Sequence, residues 1–97
     1  MASVEKLKVK DSEVIGVKID LPESPPLLLV VGRKGFVMCG FLNIEAAEKV
    51  GVAAAMVSGV KEFSDVLKAE VKAATSKAQQ LGIRLGMRGE EAVVLIA

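Results

Sequence analysis

The sequence contains no histidine, no tryptophan, no tyrosine and only one cysteine in 97 residues. Without histidine a Ser-His-Asp triad cannot be assembled. With one cysteine besides, no zinc or haem site of the common types can be built within one chain, and no cofactor is expected. A lone cysteine excludes an intrachain disulfide and fits a reducing cytosol. Aromatic residues make up 3% of the chain and its net charge is +1, with the signs interspersed. That leaves little for base stacking and no basic block, so a nucleic-acid partner is not expected. No apolar run approaches the ~18–20 residues of a membrane span. The start, MASVEKLKVK, lacks the apolar stretch of a secretory signal. The expected location is cytoplasmic, with no membrane partner.

What is present is aliphatic. Hydrophobic residues reach 52%, so the core must be built from Val, Leu, Ile, Ala and Met. A chain of this length forms one domain and buries roughly 64% of its unfolded surface. So much aliphatic surface on a small domain points to burial between subunits.

The stretch FVMCGFLN, residues 36–43, organises the reading. Phe36 to Leu42 form an apolar run of strand length, with both faces covered. Gly40 leaves room for a backbone or a ligand to approach. Asn43 is a good N-cap for IEAAEKV, Glu45 suits the positive end of that helix, and Gly51 falls where a C′ glycine belongs.

Before it, residues 4–10 and 14–21 alternate and read as an antiparallel hairpin, with Asp11 and Ser12 in the turn. Ile15, Val17, Ile19 and Leu21 share one face of that hairpin and need a partner. PESPP, residues 22–26, reads as a stiff linker. LLLVV is a buried strand and GRKG, residues 32–35, a hairpin turn. After it, VAAAMVSG holds a strand over 53–58. Residues 62–81 carry a helical stripe of Phe63, Val66, Leu67, Val71, Ala74, Ala78 and Leu81, ended by Gly82. A break near Lys68–Ala69 would divide it into two helices. Ile83–Leu85 reads as a short strand. Residues 90–96 carry both helical signals, acids at the positive end of a helix, and β propensity.

Little here is a chemical signature. Ser58-Gly59 is not a nucleophile elbow, and Gly82, Gly86 and Gly89 do not form the dinucleotide fingerprint. Glu45, Glu48, Glu62 and Asp65 read as helix-surface acids. The one candidate nucleophile is Cys39. Alternation puts it in the core beside Val37 and Phe41, where a free cysteine behaves as a small hydrophobe. Its position before a capped helix would instead let first-turn N–H groups stabilise a thiolate or hold a substrate anion. Gly40, Asn43, Arg33 and Arg88 are the accompanying candidate binding residues.

The segments LLLVVGRKGFVMCGFLNIEAAEKVG, AAAMVSGVKEFSDVL and LGIRLGMRGEEA together resemble the YunC-like family of small bacterial and archaeal proteins, over roughly residues 20–95. The resemblance implies an α/β domain whose N-terminal β region mediates tetramer formation, a helical tail, and no established activity. A helix-breaking proline often stands in that family where this chain has Glu70.

The expected fold is therefore a single α/β domain of mixed α+β character over residues 1–97. An N-terminal β-hairpin (1–21) serves in oligomerisation, a Pro-rich linker spans 22–26, and the α/β core spans 27–97. Two functions of different class stand side by side. One is a homo-oligomeric structural or binding module, dimer or tetramer, whose partner is itself. The other is a small enzyme or ligand-binding protein with a small-molecule site around Cys39–Asn43, at a subunit interface or within one chain.

Overall fold

A computed structural model describes residues 2–97. Six strands form one sheet in sequence order, β1 (Ala2–Val9), β2 (Ser12–Ile19), β3 (Leu27–Val31), β4 (Phe36–Met38), β5 (Ala54–Met56) and β6 (Ala73–Ala74). Every neighbouring pair is antiparallel except β4 and β5, which run parallel. Four helices complete the domain: α1 (Ile44–Val50), α2 (Phe63–Lys68), α3 (Ser76–Gln80) and α4 (Gly89–Ile96). The single mixed domain and its N-terminal hairpin are as the sequence implies.

The hairpin closes one residue earlier than expected, at Lys10 (φ 47°) and Asp11 (φ 71°). Two consecutive positive φ values are what a two-residue turn needs to match the twist of its strands. PESPP forms the loop between β2 and β3, which pair along Ile15–Ile19 and Leu27–Val31. The hairpin is thus part of the one sheet.

Register assigns the faces. Val14, Gly16, Val30, Val37 and Ala55 lie on the side that packs against α2 and α4. Gly16 matters there, because a Cβ would strike Phe63 of α2 and Leu7 of β1. On the opposite side α1 covers only β4 and β5. The remaining stretch, with Ile15, Val17, Ile19, Leu27, Leu29 and Val31, carries no helix; Ile15, Ile19 and Val31 are exposed and the others half-buried.

The run Phe36–Leu42 is strand only as far as Met38. The Cys39 amide still donates to the Leu28 carbonyl at 3.1 Å, and a turn then closes from Leu42 N–H to the Cys39 carbonyl at 3.3 Å. Beyond Leu27 the facing chain is Pro26 and Pro25, which have no N–H to continue a ladder.

The stripe over 62–81 is not one helix. It breaks after Lys68 into α2, the short strand β6 and α3. The broken segment serves the free edge of β5: Lys72 N–H donates to the Met56 carbonyl at 2.8 Å, and Thr75 N–H to the Ala54 carbonyl at 2.9 Å. A continuous helix would leave these edge carbonyls, that of the buried Ala54 above all, without their partners, and an unpaired buried carbonyl is costly. Glu70 accommodates the break without proline.

Ile83–Leu85 is not a strand either. The Ile83 amide donates to the Ala78 carbonyl and closes the end of α3. The tail is helical, and α4 is tied at both ends. Gly89 N–H donates to the Ala69 carbonyl at 2.7 Å, and the Ile96 carbonyl accepts from Lys34 N–H at 2.9 Å. A side chain at position 89 would collide with the Val66 carbonyl, so only glycine lets α4 begin against α2.

Among the described residues Thr75 is the one buried polar side chain. Its hydroxyl donates to the Val52 carbonyl at 2.7 Å and accepts from the amides of Ala54 at 3.0 Å and Ala78 at 3.3 Å. Replacing Thr75 by Val strands these partners and is expected to lower stability by about 2–4 kcal/mol. Thr75→Ser keeps the hydroxyl and should cost about 1 kcal/mol, the value of one methyl group. Urea denaturation midpoints separate the two; equal losses would contradict a hydrogen-bonding role.

Candidate functional site

Because β4 and β5 are parallel, the turn after β4 and the loop after β5 emerge at the same end of the sheet. The Val57 amide donates to the Met38 carbonyl at 2.9 Å and holds the two exits together. Between them lies a cavity of about 280 Å³. Cys39, Gly40 and Phe41 line it from the β4 side, and Ser58, Gly59, Val60 and Lys61 from the β5 side. Pro25 and Pro26 close it from the loop before β3. In α/β sheets ligands bind in crevices outside the carboxyl ends of parallel strands, and this cavity has that position.

Cys39 is 3% exposed and belongs to the core cluster. Its Sγ accepts from the Leu28 amide at 3.4 Å. The thiol therefore sits at the base of the cavity, held by a strand amide rather than by the helix that follows. Gly40 is open: a Cβ there would meet only the Ser58 Cβ, at 3.9 Å. Phe41 stands half out of the molecule, 51% exposed.

The other candidate residues are elsewhere. Asn43 acts as the cap that its position implies, its side-chain oxygen accepting from Glu45 N–H at 2.8 Å and Ala46 N–H at 3.3 Å. Those first-turn amides are thereby taken. The Asn43 side chain borders a separate groove between α1 and β4, with Phe36, Met38 and Val50. Arg33 lies at the β3–β4 turn, beyond the other end of β4, where it lines a polar cleft with Asp11, Ser12 and Glu13. Arg88 precedes α4, and its amide donates to Glu91 Oε1 at 3.1 Å. Cys39 and Gly40 are thus the two candidates that share the cavity. Ser58, Gly59 and Lys61 join them without having been singled out as site residues. Their signal was available only through strand direction, since two strands that end together must run the same way. Among the described residues no three of His, Cys, Asp and Glu come together as a metal site would need, and no helix is long and apolar enough to cross a membrane.

A meander of four strands, a β-α-β unit and a terminal helix tied back to the sheet define a class of small α+β domain. Residues 38–96 match the model of a domain of unknown function, DUF1805, and the chain belongs to that family. It is 28% identical to the uncharacterised protein YunC of Bacillus subtilis, over 97% of this chain and 96% of that one. It also superimposes on the crystal structure of a protein of unknown function, TA1206 from Thermoplasma acidophilum, with a TM-score of 0.93 and 35% identity. That match covers all of this chain and 94% of the other.

A thiol this enclosed reacts only when the surrounding structure opens. Iodoacetamide is expected to label Cys39 slowly in the native protein and rapidly after unfolding in guanidinium, as followed by intact mass. Equal rates in the two states would contradict the placement.

Proposed function

We propose that this domain is a homo-oligomeric binding module that assembles through the bare side of β1, β2 and β3. The single observation that carries the reading is the distribution of exposed apolar side chains. Val4 is 68% exposed, and Ile15, Ile19 and Val31 are exposed beside it on the same sheet face. Val17, Leu27 and Leu29 continue the patch in the half-buried range. Scattered apolar residues on a surface need no explanation, but a contiguous patch of this kind marks an interface.

The occupant that fits is a second copy. The patch is nearly uncharged at its centre, and Lys6, Lys8 and Glu13 stand at its border. A closed symmetric dimer pairs such a patch with itself and leaves the charges at the rim. The apolar groove beside α1, with Phe36, Met38 and Val50, continues the same side of the sheet and gives a second contact surface for a tetramer. The acidic and basic residues of β1 also protect its free edge from open-ended strand pairing.

A second reading, favoured by the cavity beside Cys39, makes the domain a small-molecule binder. The two readings are compatible, since the cavity lies at the end of the sheet and the patch on its side.

The assembly is tested by substitutions on the bare face. Because no helix packs there, Ile15→Glu with Ile19→Glu should leave the monomer folded and shift multi-angle light scattering from a dimer or tetramer to a monomer mass. A wild-type protein that is monomeric at micromolar concentration contradicts the proposal.

A further inference from the structure

The cavity at the ends of β4 and β5 has a polarity of its own. Its walls are apolar, from Pro25, Pro26, Phe41 and Val60, while its rim carries Lys61. Among the described residues Lys61 forms no ion pair; Lys10, Lys18 and Lys72 are the ones engaged with carboxylates. The amides of Gly40, Phe41, Ser58 and Gly59 donate to no backbone carbonyl of the described residues. Gly59 has φ 72°, and a Cβ built there or at Gly40 meets no protein atom closer than 3.9 Å. Residues with unpartnered amides, an unpaired cation and two bare backbone positions thus line one apolar space.

We infer that this cavity binds a small carboxylate with an apolar body, the body against the prolines and Phe41 and the carboxylate toward Lys61 and the neighbouring loop amides. The inference rests on the ligand-binding reading above and adds the ligand's charge and size. Size follows from volume. An engineered cavity of about 150 Å³ holds one benzene, so 280 Å³ suits a body of one ring or a short acyl chain. Charge follows from the donors: ionised acceptors make the stronger hydrogen bonds to N–H groups, and a cation adds to them. A monoanion suits the rim better than a phosphate dianion does. Among the described residues Lys61 is the one cation that lines the cavity, and the carboxylates of Glu62 and Asp65 that follow it, the second already accepting from the Lys61 amide at 3.1 Å, oppose a second negative charge.

The test compares phenylacetate with phenylacetamide, which has the same shape and no charge, by amide chemical-shift titration of the full chain. Phenylacetate should perturb the amides of Gly40, Gly59 and Lys61 and bind about fivefold or more tightly than the amide at low salt. That preference should shrink at high salt and vanish in Lys61→Met, which removes the charge from a surface side chain and leaves the fold intact. Equal affinity for acid and amide overturns the inference while the cavity remains a ligand site. If neither compound perturbs these amides at roughly 10 mM, a concentration that detects even millimolar affinity, the inference and the ligand-binding reading fall together.

Discussion

The parallel contact between β4 and β5 is the constraint on which the rest of the molecule depends. Two parallel strands cannot be joined by a tight turn, so the chain must cross over between them, and α1 is that crossover. Its helix lands on one side of the sheet. The other side of the same pair, with Val37 and Ala55 fully buried, receives the helices that follow. Ala54 and Ala55 are both at 0% exposure. Larger side chains there would hold the covering helices away from the sheet. The free edge of β5 then recruits β6, and Thr75 ties the carbonyl of Val52 to the amides of Ala54 and Ala78.

Two surfaces follow from that arrangement, for different reasons. The crossover helix is only seven residues long. It cannot reach β2 and β3, so the N-terminal half of the sheet keeps one bare apolar side. At the end of the sheet the parallel direction brings two exits together, and the prolines before β3 prevent the ladder from continuing across them. One surface arises because a covering element is short, the other because a ladder stops. Neither requires an unusual residue.

Much of this was legible locally. The cap at Asn43, the left-handed Gly51, the β3–β4 turn and the strand cores of β2 and β3 obey short-range rules that a sequence states openly. The helical stripe over residues 62–81 misled because a 3.6-residue period also fits two short helices flanking a half-buried strand. Val66, Val71, Thr75 and Ala78 are all buried, but not on one helix. Ile83–Leu85 misled in the same way: Ile83 is apolar and buried because it closes α3, not because it pairs. In the hairpin the alternation separates two apolar sides: Leu7, Val9 and Val14 face the helices, and Ile15, Val17 and Ile19 lie on the side left without one. Gly16, on the other side, is where α2 packs.

The sequence by itself determined the aliphatic core, the hairpin, the capped first helix and the absence of histidine chemistry, because each depends on neighbouring residues or on composition alone. It also placed Cys39 at the end of a buried strand. Only the tertiary structure decided that β5 runs parallel to β4, that the chain breaks at Ala69 to pair with the edge of β5, and that Cys39 and Gly40 share a cavity with Ser58, Gly59 and Lys61 while Asn43, Arg33 and Arg88 do not. Strand direction and edge pairing are settled by hydrogen bonds between residues 16 or more positions apart, and no local propensity encodes such a pairing.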